Sequence, residues 1–182
     1  DNMAFNITEF SSVIGRKGLA SSNKFQVQIY LPGGTNNPDL DIMCDSASLA
    51  GKSIATMTEI NYGIRREVAY AAPTYDDLTL TFYCTEKLEE KKILDKWQNQ
   101  IVKTNGLNKT GGSFDVGYYD DYAGSSKVVV TKLSVSGEPT FVYEYVETFP
   151  KSITAMELSH AQTSSPMKVS AVFKYIYWKD IT

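Results

Sequence analysis

Residues 77–84 read Asp-Leu-Thr-Leu-Thr-Phe-Tyr-Cys, and this run decides the class of the fold. Successive side chains of an extended chain point to opposite faces, so Leu78, Leu80, Phe82 and Cys84 share one side and Thr79, Thr81 and Tyr83 the other. A period of two with one apolar face predicts a half-buried strand. Immediately downstream the period changes. Ile93, Leu94, Trp97 and Ile101 recur at helical spacing, which predicts one amphipathic helix over 86–103 packed on the protein's own sheet. Thr85 can cap it, Glu86, Glu89 and Glu90 suit its positive end, and Gly106 suits its exit.

Working upstream, Ile54–Ile60 and Ile64–Tyr70 are strand-like runs joined by Asn61, Tyr62 and Gly63 and closed by Pro73, which predicts a hairpin. Residues 24–31 alternate with Phe25, Val27, Ile29 and Leu31 inward, residues 32–38 (PGGTNNP) signal a turn, and a further strand is expected near 40–46. Residues 5–15 can form a short amphipathic helix ended by Gly15 and Gly18. Past the helix, 105–125 is rich in Gly, Asn and Asp and reads as a long loop. Four strands follow near 127–136, 140–147, 151–159 and 167–178. The last is apolar on both faces, as in a strand covered on both sides. The expectation is a mainly β chain, either a closed barrel or a sandwich, with one flanking helix. Residues 1–23 form an N-terminal arm. Residues 24–182 form a single β domain carrying a projecting hairpin at about 50–72.

The balance of 18 basic and 21 acidic residues gives a net charge of −3. A nucleic-acid gripping surface would show a basic excess, and none accumulates. No apolar run approaches the roughly 20 residues of a membrane span, and the first 20 residues do not read as a signal peptide. Synthesis and folding in a cytosol are therefore expected, with Cys44 and Cys84 as free, buried thiols. These two cysteines and the single histidine, His160, cannot supply the four ligands of a structural zinc.

A search for catalytic groups finds none. Asp76–Asp77 and Asp120–Asp121 are adjacent pairs, which point to opposite faces of a strand and cannot flank one substrate; they read as turn residues. His160 sits among turn residues with no nucleophile elbow in the chain, and reads as a surface-loop side chain. No phosphate-binding glycine motif occurs. The expectation is a chain with no catalytic residue, cofactor or metal. A small hydrolase or ligand-binding β-barrel remains the alternative from another class.

Several segments in order resemble the tail tube proteins of contractile-tailed bacteriophages. They are FQVQIYLP (25–32), MCDSASLAGKSIAT (43–56), IRREVAY (64–70), APTYDDLTLTFYCTE (72–86), KILDKWQ (92–98) and AVFKYIYW (171–178). The resemblance implies a β-barrel or sandwich with one flanking helix. It also implies six-membered rings whose sheets join around a channel, stacked into an inner tail tube through which DNA is ejected. It implies a structural virion protein, assembled in the host cytoplasm. The implied partners are the sheath, baseplate, tail terminator and tape measure proteins, with DNA passing unbound and no membrane. A baseplate tube initiator or tail-completion ring of the same fold is the alternative. The turn at 32–38 and the loop at 105–125 depart from a minimal member.

Excess strands and an under-partnered hairpin point the same way, because open sheet edges stick unless guarded. Ile54, Ile60, Tyr62, Ile64 and Val68 are expected to bury against neighbouring subunits. At least one of Arg65 and Arg66 is expected to meet a carboxylate of a neighbour, with Asp76, Asp77 and Glu59 the candidates.

Overall fold

The computed structural model describes residues 7–61, 63–108, 111–159 and 165–182. The chain opens with helix α1 (Ile7–Lys17), then strands β1 (Phe25–Leu31) and β2 (Thr35–Asn36), and a short helix α2 (Pro38–Ile42). Strands β3 (Cys44–Ser48), β4 (Lys52–Ser53), β5 (Thr56–Asn61), β6 (Ile64–Ala69), β7 (Thr74–Tyr75) and β8 (Leu78–Tyr83) lead to helix α3 (Glu89–Ile101). A hairpin, β9 (Val102–Asn108) and β10 (Gly111–Val116), and a π-helical turn at Asp120–Gly124 follow. Strands β11 (Lys127–Leu133), β12 (Pro139–Val146), β13 (Phe149–Ile153), β14 (Lys168–Lys174) and β15 (Tyr177–Asp180) complete the chain.

Two sheets form a sandwich rather than a closed barrel. One runs β15-β12-β11-β1-β2 and the other β13-β14-β8-β3. Their inner faces carry the residues that alternation selects. Val27, Ile29, Val128, Val130 and Tyr145 come from the first sheet, and Leu78, Leu80, Phe82, Val169, Ala171 and Phe173 from the second. Each large apolar side chain so buried contributes about 1.5–3 kcal/mol. The α3 stripe completes this core through the buried Leu94 and Trp97, with Ile93 half-buried beside them. Trp97 lies 6.0 Å from the Phe173 ring, and its Nε1 donates to the Tyr122 carbonyl at 3.0 Å. The helix therefore packs on its own sheet, as its periodicity predicts.

The helix begins at Glu89, three residues later than expected. Thr85 and Glu90 set that start together. The buried Glu90 carboxylate accepts from the Thr85 N–H at 2.9 Å and from its hydroxyl at 3.1 Å, and the Glu89 N–H donates to Thr85 Oγ1 at 3.3 Å. Replacing Glu90 with alanine strands the Thr85 donors, at a cost of about 1–3 kcal/mol. Replacement with glutamine keeps an acceptor and loses less; chemical denaturation of the two variants checks this order.

Four sequence expectations change. The stretch 40–46 is split between α2 and β3, because Asn37 caps Leu40 N–H and Pro38 sits at the first helical position. The loop at 105–125 is mostly the β9–β10 hairpin and the π turn. The strand placed at 151–159 is the shorter β13. The final run divides into β14 and β15, which belong to different sheets, and this crossing explains why it is apolar on both faces. At the amino end, the predicted amphipathic helix runs through Gly15 and stops at Gly18, whose φ of 71° and N–H bond to the Ile14 carbonyl at 2.7 Å form a left-handed cap.

Candidate assembly surface

Strands β5 and β6 form a two-stranded sheet of their own. The register sets Asn61 opposite Ile64, so two residues separate the strands, and Gly63 supplies a φ of 83° that side chains disfavour. Directly opposed residues share a face. Thr56, Thr58, Ile60, Arg65, Glu67 and Ala69 thus make one face, and Met57, Glu59, Ile64, Arg66 and Val68 the other.

Both faces meet solvent. Ile60 is 59% and Ile64 73% exposed, on opposite sides, while Met57 is exposed beside the half-buried Val68. Ile54 is exposed between β4 and β5. An isolated two-stranded hairpin is marginal in water, and this one holds large apolar side chains in solvent. The expected Tyr62 lies outside the described residues, as does His160.

Arg66 is paired within its own chain, where Glu59 stands directly across the hairpin and Oε2 accepts from Nη2 at 2.7 Å and Nε at 2.9 Å. The register supplies this partner. Arg65 faces the other way and makes no ion pair among the described residues.

Asp76 and Asp77 lie beyond β7, at the base of the hairpin. Asp76 is exposed, and its carbonyl accepts from the Tyr175 hydroxyl at 2.7 Å. Asp77 is engaged by Lys174 and by Lys151, the latter at 3.4 Å, so it ties the start of β8 to β13 and β14. These lysines, Lys174 foremost, hold the Asp77 carboxyl below its ordinary 3.8. A depressed carboxylate stabilises the fold above its ordinary pKa, and that contribution is lost as pH falls below about 4. Asp77→Asn should flatten this part of the stability profile, as acid titrations of unfolding on both proteins would show.

Chemistry is sparse elsewhere. Among the described residues no three His, Cys, Asp or Glu side chains stand close enough to hold a metal, and no helix is long and apolar enough to cross a membrane. Cys44 and Cys84 are free thiols, half-buried rather than buried. Burial, with Asp45 nearby, pushes Cys44 up to about 12, so its nucleophilic thiolate is scarce at neutral pH. Sequence reading missed a second apolar surface on β9–β10, where Val102, Phe114 and Val116 share a face and are all exposed. The alternation of Phe114 with Val116 was its signal.

Comparison with known proteins agrees with the mainly β fold. A family model described as phage tail tube protein matches residues 20–180. No curated protein sequence matches the chain. Among solved structures, a chain of the anti-feeding prophage baseplate is similar at a TM-score of 0.64 and 12% identity, over 90% of this chain and 95% of that one. A chain of the anti-feeding prophage tube-terminating cap gives 0.63 and 15%, over 100% and 96%. A chain of an extracellular contractile injection system sheath-tube complex gives 0.51 and 12%, over 94% and 98%.

Proposed function

We infer, because this chain belongs to the phage tail tube protein family, that it is a structural protein that self-assembles into stacked hexameric rings. These form the inner tube of a contractile tail, a conduit for DNA ejection. The observation that carries this reading is the β5–β6 hairpin, a separate sheet with apolar side chains exposed on both faces. A surface of this kind is stable in water only when covered, and a second copy presents the same apolar chemistry. Hairpin contacts through Ile54, Ile60, Tyr62, Ile64 and Val68 join neighbouring subunits. Arg65, which makes no ion pair among the described residues, meets a neighbour's carboxylate, for which the exposed Asp76 is suited. The net charge of −3 fits a conduit, because a basic lumen would bind the phosphate backbone and stall its passage. Sheath, baseplate, terminator and tape measure proteins are the partners such a tube meets. The particle is a phage tail, assembled in the bacterial cytoplasm.

A second reading is a tube initiator or terminator of the same fold. Likeness to chains from a baseplate and a terminating cap, at TM-scores above that to the sheath-tube chain, favours it. Electron microscopy of the purified protein separates the two. A repeated tube subunit grows into tubes of unlimited length, whereas an initiator or terminator stops at single rings or short stacks. Particles of monomer size at every concentration would refute both.

A further inference from the structure

The two sheets of the sandwich do not meet at one corner. Register sets Phe25, Lys132 and Phe141 side by side across β1, β11 and β12, with Val130 in the next row of the same inward face. The edge strand of the other sheet, β3, reads Cys-Asp-Ser-Ala-Ser, and the side chains it gives to the core are the small Cys44 and Ala47. Large residues facing small ones leave space. A cavity of about 640 Å³ results, lined by Phe25, Ala47, Leu49, Val130 and Phe141 and bordered by residues 20–23. Sites for small molecules span ~300–1,000 Å³ and are apolar with a few placed polar groups.

One lining position breaks the apolar pattern. Alternation along β11 turns Val128, Val130 and Lys132 to the same side, so a lysine stands on the inward face between two phenylalanines. Its Nζ donates to the Leu133 carbonyl at 2.6 Å and to the Lys24 carbonyl at 3.2 Å. An ammonium carries three donors, so one is left without an acceptor among the described residues. Lys132 also makes no ion pair among them. The carboxylate that lines the same cavity, Asp45, is taken by Lys168 at 2.7 Å. A half-buried cation beside an apolar cavity, with its charge unanswered, favours an anion next to it.

Apolar walls and a single cation define the ligand. Its body is apolar, and its head carries one negative charge, because one free ammonium donor suits a carboxylate and would leave a doubly charged phosphate under-served. We propose that the inter-sheet cavity binds an amphiphilic carboxylate of fatty-acid type, its chain against Phe25, Val130 and Phe141 and its head on Lys132. This site is independent of whether the chain forms tubes.

Decanoate is the probe, followed by calorimetry and by displacement of the fluorescent anion 1-anilinonaphthalene-8-sulfonate. It should bind saturably, one molecule per chain, and raise the melting temperature, as a ligand of the folded state does. Lys132→Met should weaken binding at least tenfold, and Lys132→Arg, which keeps the charge, should stay within about threefold of the parent. Ala47→Leu fills the cavity and should abolish binding. Decyltrimethylammonium, with the same chain and the opposite head charge, should bind at least tenfold more weakly than decanoate. Circular dichroism on each variant separates loss of the site from loss of the fold. Equal affinity of the parent and Lys132→Met, equal binding of the two head groups, or no binding of decanoate at millimolar concentration would each overturn the site and leave the tube reading standing. Binding to dispersed subunits that vanishes in assembled protein would show that a second copy fills the cavity, and would overturn the ligand site while supporting assembly.

Discussion

Trp97→Ala should lower the free energy of unfolding by about 3–5 kcal/mol, the range of large-to-small changes at fully packed aromatic sites. The indole is 2% exposed, lies between α3 and the β13–β14 side of the sandwich, and meets the Phe173 ring. Removing it opens a cavity where α3 packs on the core, and also removes the Nε1 donor from the Tyr122 carbonyl. Trp97→Phe keeps most of the volume and loses only the donor, so its cost should be well below that of alanine. Urea unfolding of the dispersed subunit measures both. A Trp97→Ala protein within about 0.5 kcal/mol of the parent, the range of an ordinary surface change, would show that α3 is not anchored by this residue.

The second large effect concerns assembly and not stability. Ile60→Asp and Ile64→Asp place a charge on opposite faces of the β5–β6 hairpin, at side chains that are 59% and 73% exposed. The folded subunit should be changed by no more than about 0.5 kcal/mol, since no core contact is lost. Assembly should fail outright for at least one of them, because burying an unpaired carboxylate in an apolar interface costs several kcal/mol per contact and the contact repeats at every subunit. Testing the two separately shows which face is covered. Circular dichroism and sedimentation on the same samples separate loss of fold from loss of assembly. Deleting the hairpin tip should give the same outcome, a folded monomer that makes no tubes.

How much of this was legible beforehand follows from which forces each segment obeys. DLTLTFYC and KFQVQIYL are readable because each strand is buried on one face only, so burial writes a period of two into the sequence. The α3 stripe is readable for the same reason at a period of 3.6. Helix α2 was obscured because its start signal, Asn37 followed by Pro38 and Asp39, is built of the same residues as a turn. The β9–β10 hairpin was hidden because much of it is polar and Gly-rich. Backbone pairing holds such strands, and the short alternation of Phe114 with Val116 is too brief to announce them. Nothing in Tyr175-Ile176 marks where the last run leaves one sheet for the other, since no glycine or proline is required at that bend.

The candidate surface was legible as a hairpin but not as faces. A three-residue turn would have put Ile60 and Ile64 side by side. The two-residue loop shifts the pairing so that they point apart and brings Glu59 across from Arg66. A one-residue difference in register exchanges the faces of a strand, and composition alone does not set it.

The central claim is that this chain assembles with itself through the β5–β6 hairpin. Cryo-electron microscopy of the purified, concentrated protein tests it most directly, by resolving both the assembly and the position of the hairpin within it. The account predicts stacked six-membered rings around an open channel, with Ile60 or Ile64 buried against a neighbouring subunit. Monomers at every concentration, or rings in which both faces of the hairpin remain in solvent, would contradict it.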